Sequence, residues 1–367
     1  MPSLPFAGQV CLSMIVRNEA AVIARCLASV RPAITSWAIV DTGSVDGTQD
    51  MVRECLADLP GHLLERPWVD FASNRNQALE LARGQADYAL IIDADEILEI
   101  DPGIAAPPTL DAAAYYLDQI MGYGDFAFAS AKLLRLDAGW RWRGVLHEYP
   151  ALDPQPAIGR LAGLRVRSFP DGARSQRPQR EKYLDDAAVL RKALRAEPDN
   201  ARYAFYLAQS LRDAGETAAA LEAYRHRMVM GGWAEERWYA AFQVGALLEQ
   251  QHAPAAEVID AWLHAFDLRP TRAEPMCELA RYLRLMQRHA SAHACARAAA
   301  ELPLPDDLLF VDRSVYLWRA RDEQAVSAYY CGHRAESRQL CLSLLDNPAL
   351  PVTERERIRR NAEFGDA

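Results

Sequence analysis

An α/β domain built on a parallel sheet, followed by an all-α domain of helical repeats, is the fold the sequence predicts. Three observations point to it. Residues 1–180 alternate short apolar runs with amphipathic helical patterns, whereas residues 181–367 carry helical patterns alone. Apolar-small residue pairs recur in the second half at nearly regular intervals. The run Tyr-Ala-Leu-Ile-Ile before Asp93 has no polar face, so a strand there needs cover on both sides, as in a helix-flanked parallel sheet.

The first strand is expected at Val10–Val16, followed by Arg17-Asn18-Glu19 and by Val22, Ile23, Cys26, Leu27 and Val30 at helical spacing. Asn18 is the expected N-cap of that helix. A second strand spans Trp37–Val40 and runs into Asp41-Thr42-Gly43-Ser44-Val45-Asp46-Gly47-Thr48. Met51, Val52, Cys55, Leu56 and Leu59 then share a helix face. A third strand lies near His62–Glu65. A third helix covers Ser73 to Arg83 and stops at Gly84. The fourth strand is Tyr88–Asp93. Right-handed crossovers make this β-α-β-α-β-α-β order a parallel, doubly covered sheet.

Polar residues therefore meet at one rim: Arg17, Asn18 and Glu19 after the first strand, Asp41 and Gly43 after the second, and Asp93-Ala94-Asp95 after the fourth. Open α/β sheets bind ligands at such strand ends. Two carboxylates two residues apart on extended chain point the same way and repel. A hard divalent cation, Mg²⁺ or Mn²⁺, relieves that repulsion. Asp41 suits a ribose hydroxyl or a base N–H. The dinucleotide fingerprint is absent after the first strand, and a P-loop is absent from the chain. A nucleoside diphosphate on a divalent ion satisfies both acidic positions. Arg75 sits in the first turn of its helix, where the dipole disfavours a cation. A nearby diphosphate or an ion pair with Asp70 accounts for it equally well.

The segments Cys-Leu-Ser-Met-Ile-Val-Arg-Asn-Glu, Ile-Val-Asp-Thr-Gly-Ser-Val-Asp-Gly-Thr, Ala-Ser-Asn-Arg-Asn-Gln-Ala-Leu and Leu-Ile-Ile-Asp-Ala-Asp-Glu resemble family 2 glycosyltransferases of the GT-A fold, in order and spacing, over about the first hundred residues. The resemblance implies an inverting transferase using a nucleotide-activated sugar, with Asp41 near the nucleoside and Asp93 and Asp95 at the metal; Arg17, Asn18, Glu19, Gly43, Arg75 and Ala94 are the further donor-binding candidates. Trp-x-Gly-x-x-His-Glu, ending in His147 and Glu148, is similar to the motif that follows Asp-x-Asp in a subfamily carrying helical repeats. It implies His147 as a third metal ligand. Imidazole suits Mn²⁺ better than Mg²⁺.

An inverting transfer needs a carboxylate to take the acceptor proton. Glu148 and Glu96 are the candidates, with Asp125 a third. The Asp that follows a Glu further along the chain in the family is not evident here. Residues 160–182, with Arg165, Arg167, Arg174, Arg177, Arg180, Lys182, Pro170 and Pro178, read as a solvated linker, or else as a basic lid over a diphosphate.

Leu207-Ala208, Val244-Gly245 and Leu279-Ala280 repeat at intervals of 37 and 35 residues, near the roughly 34-residue tetratricopeptide period. Tyr224 and Ala261 each follow 17 residues after the first member of their pair. Gly215 marks a turn, Pro270 and Pro303 close units, and a divergent fourth unit spans Gln324–Leu345. Such arrays bind extended peptides or partner helices, cap a neighbouring domain, or dimerise.

The balance of 41 basic and 50 acidic residues, net −9, argues against nucleic acid or an anionic membrane as the main partner. Seven scattered cysteines without a C-x-x-C pair indicate neither a zinc site nor a disulfide framework. With no signal-peptide pattern and no apolar run of membrane-spanning length, the cytoplasm is the expected location. The sequence thus predicts a GT-A transferase domain at 1–180 and tetratricopeptide-like repeats at 181–367. The expected activity moves a hexose or N-acetylhexosamine from a UDP-sugar to a peptide or protein, with a homodimer through the repeats as another use of the array. The competing reading is a repeat scaffold whose nucleotide-sugar domain is inactive.

Overall fold

A computed structural model describes residues 8–102, 109–122 and 127–364. The chain divides into two compact units, 1–198 and 199–367.

The first unit is built on an eight-stranded sheet. Its first part follows the expected order: β1 (Val10–Val16), α1 (Ile23–Val30), β2 (Ser36–Asp41), α2 (Thr48–Cys55), β3 (Gly61–Glu65), α3 (Phe71–Ala82) and β4 (Tyr88–Ile91). Then come β5 (Glu96–Ile100), β6 (Ala114–Met121), β7 (Ala127–Arg135), a hairpin of β8 (Arg141–Arg143) and β9 (Tyr149–Ala151), β10 (Gly159–Ser168) and α4 (Gln179–Ala196). The sheet order is β3-β2-β1-β4-β7-β6-β10-β5. β3, β2, β1 and β4 are mutually parallel. The expected parallel sheet ends there: β7 joins β4 antiparallel, β6 joins β7 antiparallel, β10 runs parallel to β6, and β5 closes the order antiparallel to β10.

Alternation along the parallel strands feeds two cores. Val10, Leu12, Met14 and Val16 of β1 pack with Ile23, Cys26 and Leu27 of α1 on one face. Cys11, Ala38 and Ala89 face the other side with Leu79 and Ala82 of α3. A strand buried on both faces shows no polar alternation, which is why these runs are legible in the sequence. The first part of residues 160–182, expected as linker, is instead in the strand β10. Leu161, Leu164 and Val166 are buried while Arg160 and Arg165 are exposed. Arg167 donates to Glu99 of the neighbouring strand at 2.6 Å. The arginines face out of the sheet, and their number hid the buried alternate positions.

The second unit consists of helices in antiparallel pairs. These are α5 (Ala201–Asp213) with α6 (Thr217–Val229), α7 (Ala234–Gln250) with α8 (Ala255–Leu268), and α9 (Glu274–Leu285) with α10 (His289–Glu301). α11 (Ala320–Tyr330), α12 (Arg334–Leu345) and α13 (Val352–Glu363) follow. In one recurring pair the small member makes room for a neighbouring helix. A Cβ on Gly245 would lie 2.8 Å from the indole of Trp262, which is fully buried. Gly215, with φ of 79°, makes the α5–α6 turn.

The segment between α10 and α11 is held by charge. The fully buried Arg272 donates to Glu274 at 2.8 Å, to Asp307 at 3.1 Å and to the carbonyls of Leu309 and Phe310. Its guanidinium also lies 3.6 Å from the Trp238 ring centroid. Glu235 of α7 accepts from the Leu308 and Leu309 N–H groups. Among the described residues, no helix is long and apolar enough to cross a membrane.

Candidate active site at the carboxyl rim of the sheet

Two loops at the rim are locked to each other. Asn18 does not cap α1, which starts at Ile23 after Val22. It adopts φ of 56°, and its Oδ1 accepts from Val45 N–H at 2.9 Å while its own N–H donates to Ser44 Oγ at 2.8 Å. Glu19 N–H donates to Thr48 Oγ1, and Ala20 N–H to Asp46 Oδ2. A short polar side chain tolerates the left-handed backbone and bonds locally. Asn18 therefore serves the loop pairing. Arg17 beside it is exposed.

Asp41 is 1 % exposed. Its Oδ1 accepts from Gly43 N–H and Ser44 N–H, both at 2.9 Å, and from Gln49 Nε2 at 3.2 Å. Its Oδ2 is buried and has no hydrogen-bond partner. Gly43 makes the turn at φ of 106°. An unpaired buried acceptor costs about 1–3 kcal/mol, so this oxygen marks a place for a donor.

Asp93, Ala94 and Asp95 follow β4 in a turn. Arg75 binds both oxygens of Asp93, at 2.7 and 3.0 Å, and donates from Nε to Glu148 Oε1 at 2.6 Å. Its guanidinium also lies 5.2 Å from the Trp142 ring centroid. Asp70 is not its partner: that residue caps α3, accepting from Ser73 N–H at 2.7 Å. Burial opposes the Arg75 charge, but Asp93 and Glu148 outweigh it and raise the pKa. Burial works to raise Asp93, but Arg75 and Lys132 outweigh it and hold the carboxyl below its ordinary range. Asp95 is the opposite case. Burial, together with the charges of Asp93, Glu96 and Glu19, pushes it up to about 7.

Glu96 faces inward. It is 5 % exposed and accepts from Lys132 Nζ at 2.8 Å, Gln119 Nε2 at 2.6 Å, Ser168 Oγ at 3.0 Å and Asp93 N–H at 3.0 Å. It ties β6, β7 and β10 beneath the Asp93 turn, and all its bonds are internal. Glu148 lies at the end of the β8–β9 loop. That loop turns at Gly144 with φ of 109°, where a Cβ would come 3.3 Å from the Glu148 Cα. His147, with φ of 51°, is exposed in the same loop. Among the described residues it does not join Asp93 and Asp95 in a group of ligand atoms lying within 4.8 Å of one another. Asp125 lies outside the described residues.

Three features of the site escaped the sequence reading. Asn74 and Asn76 flank Arg75. Asn74 holds the entry to α3 through Val69 N–H and the Pro67 carbonyl. Asn76 pairs with the backbone of Trp142, placing the hairpin against α3. The third feature is residues 169–173, which cross the rim. Phe169 N–H donates to the Asp95 carbonyl, Ala173 N–H to Glu19 Oε2, and Arg25 clamps Asp171 with two bonds of 2.8 Å. A Cβ on Gly172 would lie 2.8 Å from Asp95 Oδ2. The sequence signal was a glycine after Pro170 within an Arg-rich stretch, which composition alone assigns to a linker.

Residues 11–123 match the family model for glycosyl transferase family 2. A TPR repeat-containing protein of Synechococcus elongatus is 43 % identical over 95 residues, 26 % of this chain and 22 % of the relative. The match thus spans about a fifth of that relative's length. Among solved structures, MamA aligns at 17 % identity over 49 % of this chain and 94 % of its own, with a TM-score of 0.36. A thermophilic TPR protein of Thermus thermophilus aligns at 14 % identity over 49 % and 91 %, with a TM-score of 0.34. Residues 11–123 of this chain are a family 2 glycosyltransferase domain, and tetratricopeptide-like helical repeats follow it.

Proposed function

We propose that the protein is an inverting glycosyltransferase that moves a hexose or N-acetylhexosamine from a UDP-sugar to a peptide or protein, with a divalent cation, Mn²⁺ or Mg²⁺, at Asp93 and Asp95. The observation that carries this reading is the pairing, at one rim, of a buried unpartnered acceptor on Asp41 with an Asp95 carboxyl raised to about 7 by burial and its acidic neighbours. Asp41 Oδ2 suits a donor group of the nucleoside. Burial and repulsion make Asp95 a carboxylate that gains from a cation. Bound there, the cation supplies charge neutralisation for the departing diphosphate.

The chain's own groups divide the remaining work. Arg75 neutralises Asp93 and fixes Glu148 through one oxygen. Glu148 takes the proton of the acceptor nucleophile. Glu96 and Lys132 hold the Asp93 turn from below. Arg17, Asn18, Glu19, Gly43 and Ala94 form the donor cradle, and His147 would become a further cation ligand only by a turn of its loop toward Asp93 and Asp95. The repeats contribute an extended face for the acceptor chain.

UDP release from UDP-sugars, measured with and without Mn²⁺, tests the reading. Metal-dependent release in the parent that is lost in Asp95→Asn supports it. A folded parent that neither binds UDP nor releases it from any UDP-hexose overturns the transferase in favour of a scaffold.

A further inference from the structure

The helical-repeat unit contains a group of side chains that the transferase reading does not use. His293 lies on α10, while His333 and Glu336 lie at the start of α12. Their ligand atoms lie within 4.8 Å of one another. His293 Nε2 is 3.7 Å from Glu336 Oε2, and His333 Nδ1 is 3.5 Å from the same oxygen. Both distances exceed a normal hydrogen bond. Both are close to the edge of a coordination tetrahedron, about 3.3 Å when each ligand bond is about 2.0–2.1 Å.

The surroundings suit a tautomer of His293 that can ligate. Ser327, fully buried on α11, donates its hydroxyl hydrogen to the Glu323 and Gln324 carbonyls, at 2.7 and 3.1 Å. Its oxygen lies 3.5 Å from His293 Nδ1. With its one hydrogen committed, that oxygen is open to a proton on Nδ1. In that tautomer neutral His293 turns the lone pair of Nε2 toward Glu336, as a metal ligand must. A lone pair facing a carboxylate oxygen at 3.7 Å is repulsive unless a positive charge lies between them. Glu336 is prepared in the same way: Gln324 Nε2 donates to Oε1 at 2.9 Å, leaving Oε2 toward both rings. An outer partner that orients a ligand is a recurring feature of metal sites.

We propose that His293, His333 and Glu336 bind a divalent transition-metal cation of the zinc type. Two imidazoles and one carboxylate with an open fourth position suit Zn²⁺. The set is poorer for Mg²⁺ or Ca²⁺, which favour all-oxygen shells. The cation joins α10 to α12 across the side chains of α11, fastening one helix pair to the next.

The test uses the full chain, freed of metal with a chelator, and Co²⁺ as a visible probe of a zinc site. The parent is expected to bind one equivalent with the intense absorption of a tetrahedral ion, and Zn²⁺ should displace it. Asp95→Asn should keep that signal, and His333→Ala and His293→Ala should lose it. Ser327→Ala should weaken Zn²⁺ by about 10–100-fold, the usual effect of removing an outer partner. His333 is exposed, so its variant should melt like the metal-free parent, which separates lost ligation from lost folding. A parent without tetrahedral absorption, or a folded His333→Ala variant that binds Co²⁺ as the parent does, overturns the site in favour of an imidazolium–carboxylate pair.

Discussion

Asn76 and Trp142 exchange two hydrogen bonds: Trp142 N–H donates to Asn76 Oδ1 at 2.8 Å, and Asn76 Nδ2 donates to the Trp142 carbonyl at 2.9 Å. One amide side chain thus ties the β8–β9 hairpin, which leads to Glu148, to the helix that carries Arg75. Removing it leaves two backbone groups without partners, at about 1–3 kcal/mol each. Asn76→Ala should lower the melting temperature by several degrees and reduce UDP release more than UDP binding. Thermal melts with and without UDP check the first part, and a kcat-against-KM comparison checks the second.

Gly172→Ala places a methyl group 2.8 Å from Asp95 Oδ2. Asp95 or the segment over it must move. The variant should fold, with a melting temperature within a few degrees of the parent, and should lose Mn²⁺-dependent stabilisation by UDP. A crystal structure of the variant with unchanged Asp95 and full Mn²⁺ response would contradict the packing argument.

The pH dependence follows from Asp95. Burial, then its acidic neighbours, raise its folded pKa from 3.8 to about 7. A raised carboxyl favours the folded state while protonated, so its contribution is full below pH 3.8 and is lost as pH rises through about 7. Metal-free protein should therefore lose stability from this group between about pH 4 and 7, and Asp95→Asn should lack that component. Cation binding competes with the proton, so Mn²⁺ affinity should rise over the same interval. Calorimetric titrations in buffers of different ionisation heat should show proton release below about pH 7.

Asp41→Asn probes the unpaired oxygen. Oδ1 can keep its bonds from Gly43 and Ser44, while the buried acceptor becomes a donor. UDP affinity should fall about 5–150-fold, the equivalent of about 1–3 kcal/mol, at nearly unchanged stability. An unchanged Kd by calorimetry would remove Asp41 from the nucleoside site.

In the repeat unit, Arg272→Ala leaves Glu274 and Asp307 without the buried cation between them. Breaking a buried pair costs about 3–5 kcal/mol. Denaturant unfolding should show that loss. Arg272→Lys should recover only part of it, because an ammonium cannot reach four acceptors in the guanidinium's plane.

The parallel half of the sheet was legible because each of its strands is a short apolar run ending in polar turn chemistry. The rim positions of Asp41, Asp93 and Asp95 follow from that same logic, although β4 stops at Ile91 and the last two stand in the turn beyond it. Little in the residue pattern warned of β5, β10 and the 169–173 crossing. Glu96 reads as a third acid of the Asp-x-Asp-Glu run, and only its bonds to Lys132, Gln119 and Ser168 show that it faces inward. Arg75 was ambiguous because its partners lie 18 and 73 residues away. His293 and His333 stand on different helix pairs, so no local spacing joins them. The large-small repeat pairs were visible because they recur at a near-constant interval, and at Gly245 close packing against Trp262 leaves no room for a side chain.

The place of β10 between β6 and β5 has a consequence in time. β5 is complete at Ile100, yet the strand that receives its hydrogen bonds pairs from Ser168 back to Leu164. During synthesis at about 5–20 residues per second, β5 leaves the ribosome several seconds before its partner exists. Over that interval its ladder groups are open to another chain. Ribosome-bound chains that end before residue 159 should therefore associate or recruit chaperones, and chains extended past Ser168 should not.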